Sequence, residues 1–364
     1  MRFLLLLIMT LTASASEHLV FLGTYTRTTS KGIYTVRLDR ETGAFSAPEL
    51  VATTANPTWI ALSPDKQHLY AVSERDTLAV PFSVDLKTGK LIPDRVQDSG
   101  GKAPCHITTD ATGRCLVVSH YHTAIVATLP IHADGSLGEP VSIIPHTGKG
   151  VHPTRQEAAH VHSANLAPDN RHVIVCDLGL DRVYTYVLDA ANATLTPAAT
   201  PYVQTAPGAG PRHSAFSPDG RHVFVINELN STLTCYAYDS ATGVLTPRDT
   251  QPTLPDDFTG DNTTAEVRVH PNGKFVYGSN RGHDSIAIFG FDAASGKLTA
   301  LGHTPTGGKS PRNFSLSPDG RWLLAANQNS DTLRSFRVDA ATGLLTATTH
   351  EASVPQAVCV LFAN

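Results

Sequence analysis

The stretch AFSPDGRHVFV at residues 215–225 sets two short apolar runs on either side of Ser-Pro-Asp-Gly. Proline presets one dihedral of a tight turn and glycine takes the positive φ that other residues resist, so the four residues join two strands. The pattern recurs as ALSPDKQHLYAV from Ala61, TTDATGRCLVV from Thr108, NLAPDNRHVIV from Asn165, RVHPNGKFVYG from Arg268 and SLSPDGRWLLA from Ser315, six copies in all. A second turn, D-x-x-T-G-x-L, has seven: DRETGAFS, DLKTGKLI, HADGSLGE, DAANATLT, DSATGVLT, DAASGKLT and DAATGLLT. Self-similarity at a period of roughly 40–50 residues is the signature of propellers and solenoids.

Between the marks lie alternating segments such as IAIFGFD and LTCYAYD, which fit strands with one face buried. Each repeat therefore predicts four antiparallel strands, and the chain an all-β, seven-bladed β-propeller. Ring closure explains six against seven. HLVFLGTYT near the start resembles the strand after the first turn, and PQAVCVLF at the end resembles the strand before it. Pairing the C-terminal strand into the N-terminal blade would complete the seventh blade and leave no open edge. No linker breaks residues 17–364, which are expected to form a single domain.

Ahead of it, MRFLLLLIMTLTASAS at residues 1–16 has one Arg, an apolar run and a small-residue cleavage site, the pattern of a signal peptide. The protein is expected to be exported, periplasmic or secreted. With 28 Lys plus Arg against 32 Asp plus Glu, the net charge of −4 gives no footprint for nucleic acid or an anionic membrane. A small-molecule partner is the expectation. The oligomeric state is not legible. Five scattered cysteines match neither a zinc site nor a disulfide framework and are expected to be buried thiols.

In a propeller the first strand of each blade lies nearest the axis. Five residues before the turn proline, or its equivalent, come Trp59, His106, Ser163, His213, Glu266 and Asn313; six before come Thr58, Cys105, His162, Arg212, Ala265 and Arg312. Ten beyond it, at the end of the second strand, come Glu74, Tyr121, Leu178, Glu228, Arg281 and Gln328. A buried ionisable side chain costs several kcal/mol unless it is paired or wet, so their recurrence at equivalent ring positions predicts a shared polar channel. Such channels are also polar where no chemistry occurs. His68, His172 and His222 follow the turns and are expected at the surface. His160 and His162 share one strand face, but a metal site would need further convergent ligands, and the arginines suit an anion better than a second cation. No metal or other cofactor is expected.

The motifs PGAGPRHSAFSPDG, VINELNSTLT, DNTTAEVRVHPNGKFVYGSNRGHDSIAIF and GGKSPRNFSLSPDG resemble those of the seven-bladed propeller lactonase family, from about Val20 to Phe362. That family includes the propeller type of 6-phosphogluconolactonase and the carboxymuconate cyclase. The resemblance implies a site of one His, two Arg and a Glu at the channel mouth. By motif these are Arg212 of GPRH, Glu228 of INEL, Arg281 of SNRGHDS, and His160 or His162 of AHVHS, with ring register favouring His162 as the catalytic residue. His160, His106, His213, Glu266, Arg312 and Gln328 are then candidates for binding substrate. The implied activity is metal-independent hydrolysis of a sugar lactone or an acidic sugar derivative. A lactonising cyclase or isomerase and a non-catalytic binding propeller are the alternatives. Where many members carry Asn-Tyr followed by small residues, this chain has SHYHTAIV from Ser119, implying a bulkier pocket wall. Export implies an unphosphorylated aldonolactone.

Overall fold

The computed structural model describes residues 17–363, so the signal peptide expected at 1–16 lies outside the described residues. Seven antiparallel sheets surround one axis. Blade 1 is closed by the C-terminal strand Ala357–Phe362, which pairs antiparallel with Glu17–Thr24 and so lies innermost. Blades 2 to 7 follow in chain order at 60–98, 104–145, 161–204, 211–252, 263–305 and 311–353. Each runs from the axis outward in four strands. In blade 5 these are Pro211–Phe216, His222–Asn227, Thr232–Tyr238 and Leu245–Pro252. The outer edge of blade 2 is broken at Pro93 into Lys90–Pro93 and Gln97–Asp98, both paired to the same strand.

The core lies between blades, where β-branched and aromatic side chains of facing sheets interdigitate. Phe224 and Ile226 of blade 5, for example, pack on Val267, Val276 and Phe289 of blade 6. Each such side chain contributes about 1.5–3 kcal/mol by leaving water. All five cysteines are free, and four are fully buried. Among the described residues no helix is long and apolar enough to cross a membrane.

The two repeated turns interlock around the ring. The D-x-x-T-G turn of one blade packs against the residue that follows the Pro-Asp-Gly turn of the blade before it. Gly243 of blade 5 has φ +75°, and a Cβ there would meet the His172 ring of blade 4 at 2.8 Å. The Gly243 carbonyl accepts from Thr185 at 3.0 Å, as the Gly43 carbonyl accepts from Ser335 at 2.7 Å. This interlock corrects the surface placement of three histidines. His172 and His222 are buried and His68 half-buried, because the neighbouring blade covers them. His172 lies 3.0 Å from Asp169 and 2.8 Å from the Tyr238 hydroxyl, and His222 meets Phe291 edge-on at 5.0 Å.

Candidate active site

The inner strands are bulged at the register that six-before-proline counting picks out. Ser163 pairs with Cys176 and Val161 with Asp177, leaving His162 as the extra residue; Arg212, Arg312 and Cys105 occupy the same position in their blades. A bulge places two residues opposite one and bends the strand. Consecutive side chains can then both reach the axis, which a regular pleat forbids. Arg212 and His213 both line the channel neck, as do Thr58 and Trp59.

Above the neck opens a cavity of about 360 Å³ lined by His162, Glu228, Arg281, Arg312, Tyr121 and Arg155, with Glu74, Cys105, His122 and Thr263 completing its wall. Glu228 is its electrostatic centre. Its Oε2 lies 2.9 Å from Arg212 Nε and 3.0 Å from Arg281 Nη2, and its Oε1 accepts from Arg155 Nη2 at 2.5 Å. Burial works against this carboxylate, but Arg281, Arg212, His162 and Arg155 together hold its pKa well below the usual carboxylate range. Backbone bonds fix both sides of the cluster. Glu228 N donates to Gly210 O at 2.7 Å, Arg212 Nη1 to Ala265 O at 2.6 Å, and Arg281 Nη2 to Thr264 O at 2.7 Å.

His162 meets the Tyr121 ring edge-on at 5.5 Å. Its Nδ1 is sealed without a hydrogen-bond partner, which leaves Nε2 as the nitrogen available to a ligand. Burial first, then Arg212 and His213, push its pKa well below that of free imidazole, so it is neutral at pH 7. His160 does not line the cavity. Its ring stacks on the outer face of Tyr121, with centroids 4.3 Å apart and planes 7° apart, and its Nδ1 lies 3.0 Å from the Tyr121 carbonyl. Tyr121 and His122, from SHYHTAIV, line the cavity wall.

The candidates for binding substrate separate by depth. Arg312 lines both the cavity and the neck, with its guanidinium over the Tyr25 ring at 5.4 Å, and among the described residues it forms no ion pair. His213, Glu266 and His106 lie lower. Glu266 Oε2 is 3.2 Å from His213 Nδ1 and accepts from Asn313 Nδ2 at 2.5 Å, while His106 lies against Trp59 at 4.3 Å. These three are locked to one another and to the channel wall, and the upper cavity does not reach them. Gln328 begins a short 3-10 turn, Gln328–Ser330, and faces neither the cavity nor the neck.

Arg155 was not among the expected residues. It stands on the link 146–160 between blades 3 and 4, longer than the links 54–59, 99–103, 205–210, 253–262 and 306–310. That excess length was the available signal, since long loops on a rigid scaffold carry function.

A seven-bladed ring whose channel mouth gathers a buried carboxylate, its arginines and a neutral histidine has the architecture of a propeller enzyme. Residues 19–362 match the family model described as lactonase, 7-bladed beta-propeller. A 6-phosphogluconolactonase from Bacillus subtilis (strain 168) is 37% identical over 301 residues, covering 82% of this chain and 85% of that protein. One from Formosa agariphila is 31% identical over 305 residues, covering 82% and 86%. The solved structure of the Pseudomonas aeruginosa periplasmic gluconolactonase superposes with a TM-score of 0.90 at 32% identity, covering 95% of this chain and 99% of that one. The chain belongs to the seven-bladed β-propeller lactonase family.

Proposed function

We propose that the protein is an exported, metal-independent lactonase that opens an unphosphorylated aldonolactone of the gluconolactone type. The observation that carries this is the Glu228 cluster, a buried carboxylate held by Arg212, Arg281 and Arg155 at the wall of a cavity that neutral His162 also lines.

Hydrolysis joins a water oxygen to the lactone carbonyl carbon and breaks the ring C–O bond. One water proton goes to a base, and the ring oxygen leaves with a proton. The carboxylic acid formed ionises, so each turnover releases one proton to solvent at neutral pH. Neutral His162 is in the protonation state a base requires, and the ionised Glu228 carboxylate favours the imidazolium it becomes. Glu228, held by three guanidiniums, serves to fix Arg281 and Arg212. Arg281 faces the cavity and stabilises the oxyanion on the former carbonyl, a role that needs no metal. Arg312, the cation without a carboxylate partner, is the group to receive the carboxylate of the product.

Export supports an unphosphorylated substrate, as does the similarity to a periplasmic gluconolactonase. The test compares proton release from glucono-δ-lactone and from its 6-phosphate, each with and without EDTA. The expected result is faster turnover of the unphosphorylated lactone, unchanged by chelator. A large preference for the phosphate ester would overturn the substrate, and loss of activity in EDTA the metal independence.

A further inference from the structure

Of the three guanidiniums on Glu228, that of Arg212 is turned into the protein and that of Arg281 reaches the cavity wall but is largely covered. Their side chains are 3% and 12% exposed, and each donates to a backbone carbonyl as well as meeting Glu228. Arg212 does not line the upper cavity. Arg155 lines it with a side chain 36% exposed, and its bonds to Glu228 and to the Tyr121 side chain leave other donors of a group that carries five N–H.

A surface loop needs no buried polar scaffold, yet the link that carries Arg155 is pinned at three points by one hairpin turn, the DLGLD of residues 177–181. At the start of the link, His146 Nδ1 lies 2.7 Å from Asp177 Oδ2. At its end, His160 N donates to Asp177 Oδ1 at 2.9 Å. In the middle, Gln156 is fully buried. Its Nε2 donates to Asp181 Oδ1 at 2.6 Å and to Leu178 O at 2.8 Å, and its Oε1 accepts from Val151 N and His152 N at 3.1 and 2.9 Å. Asp181 in turn accepts from Gly208 N and Gly210 N, the segment that leads into Arg212. Buried amides and carboxylates are costly unless every partner is met, and here they are met on both sides of the residue that follows Arg155. Such a scaffold holds a side chain to the tolerance that chemistry demands.

We infer that Arg155 is a further catalytic residue, contacting the negative charge that develops on the lactone oxygen, and that Gln156, with Asp177 and Asp181, is the positioning device that presents it. The inference rests on the lactone-opening function above. No bond is made or broken by Arg155 itself; it donates hydrogen bonds to an oxygen that gains charge as water adds.

The test is proton release from glucono-δ-lactone by Arg155→Ala with guanidinium added at tens of millimolar. Losing one such donor lowers kcat/KM by about 100-fold or more. Guanidinium should restore at least a tenth of the wild-type rate to this variant and do nothing for the wild type. Gln156→Ala should lower kcat about tenfold with KM little changed, a misaim of Arg155 comparable with other small losses of orientation. If Arg155→Ala does not fold, Arg155→Met, which keeps the apolar stem, takes the same test. Wild-type turnover in the Arg155 variant, or a folded inactive variant that guanidinium does not rescue, would overturn the inference and leave the lactonase function standing. A wild type with no turnover on any lactone would fail that function itself.

Discussion

Arg212 Nε lies 2.9 Å from Glu228 Oε2, and the two residues come from adjacent strands of one blade. Pro211 pairs with Asn227, so the bulge at Arg212 and the strand end at Glu228 face each other across a single register step. The ion pair is therefore built into the local sheet and does not wait for ring closure. Of the other cations on Glu228, Arg281 comes from blade 6 and Arg155 from the link between blades 3 and 4.

Removing Arg212 should damage both activity and stability. Breaking a buried ion pair from one side costs about 3–5 kcal/mol, because the other charge stays in the low dielectric. Glu228 keeps two cations, so Arg212→Ala is expected at the lower end of that range in urea unfolding, with lactone turnover down by about 100-fold. Near-normal hydrolysis in this variant would remove Arg212 from the mechanism.

The pH profile of kcat/KM should lack an acid limb near pH 6.5. Burial and Arg212 keep His162 neutral well below the ordinary imidazole range, so its base form persists as pH falls through 6.5. His162→Gln should lose about 100-fold or more. A limb titrating close to 6.5 in the wild type, absent in the variant, would show that His162 is solvated in the working enzyme.

Three channel histidines should make the protein acid-sensitive. His106 is pushed down to about 3 by burial, and His162 and His213 are held well below their ordinary value by burial and by Arg212. All three take up protons near pH 6.5 only when the chain unfolds. Their stabilisation is complete above that pH and is lost as pH falls, each contributing about 1.4 kcal/mol per pH unit. Urea midpoints measured from pH 7 to pH 4.5 should fall accordingly, and His106→Asn should reduce the slope. A flat dependence over that range would contradict the buried, neutral channel.

The stack of His160 on Tyr121 makes His160 a support for the pocket wall. An aromatic pair of this kind contributes about 0.5–1.5 kcal/mol beyond its burial. His160→Ala is expected to raise KM for the lactone more than it lowers kcat, as Tyr121 loses its backing. A loss confined to kcat would place His160 in the chemistry instead.

The seven blades could be read from the sequence because each carries its own turns, and Pro-Asp-Gly and Thr-Gly specify local geometry without help from distant residues. Counting from those turns also brought His162, Arg281, Glu228 and Arg312 to one cavity, with Arg212 against Glu228. Depth along the axis was not legible. His213, Glu266 and His106 differ from the bulge residues by one position, and only the bend of the strand turns that step into a lower tier. The burial of His172 and His222 was hidden because the groups that cover them, the turn at Gly243 and the Phe291 ring, belong to the next blade. Arg155 carried no register at all, since its position comes from a loop pinned by Asp177 and Asp181.

The most direct measurement is the rate of proton release from glucono-δ-lactone by the wild type and by Glu228→Gln, side by side at neutral pH and corrected for spontaneous hydrolysis. The neutral amide keeps the shape of Glu228 and removes the charge that gathers the three arginines. Turnover well above background in the wild type, reduced by about 100-fold or more in the variant, is the predicted result. Equal rates in the two proteins, or a wild type no faster than water, would contradict it.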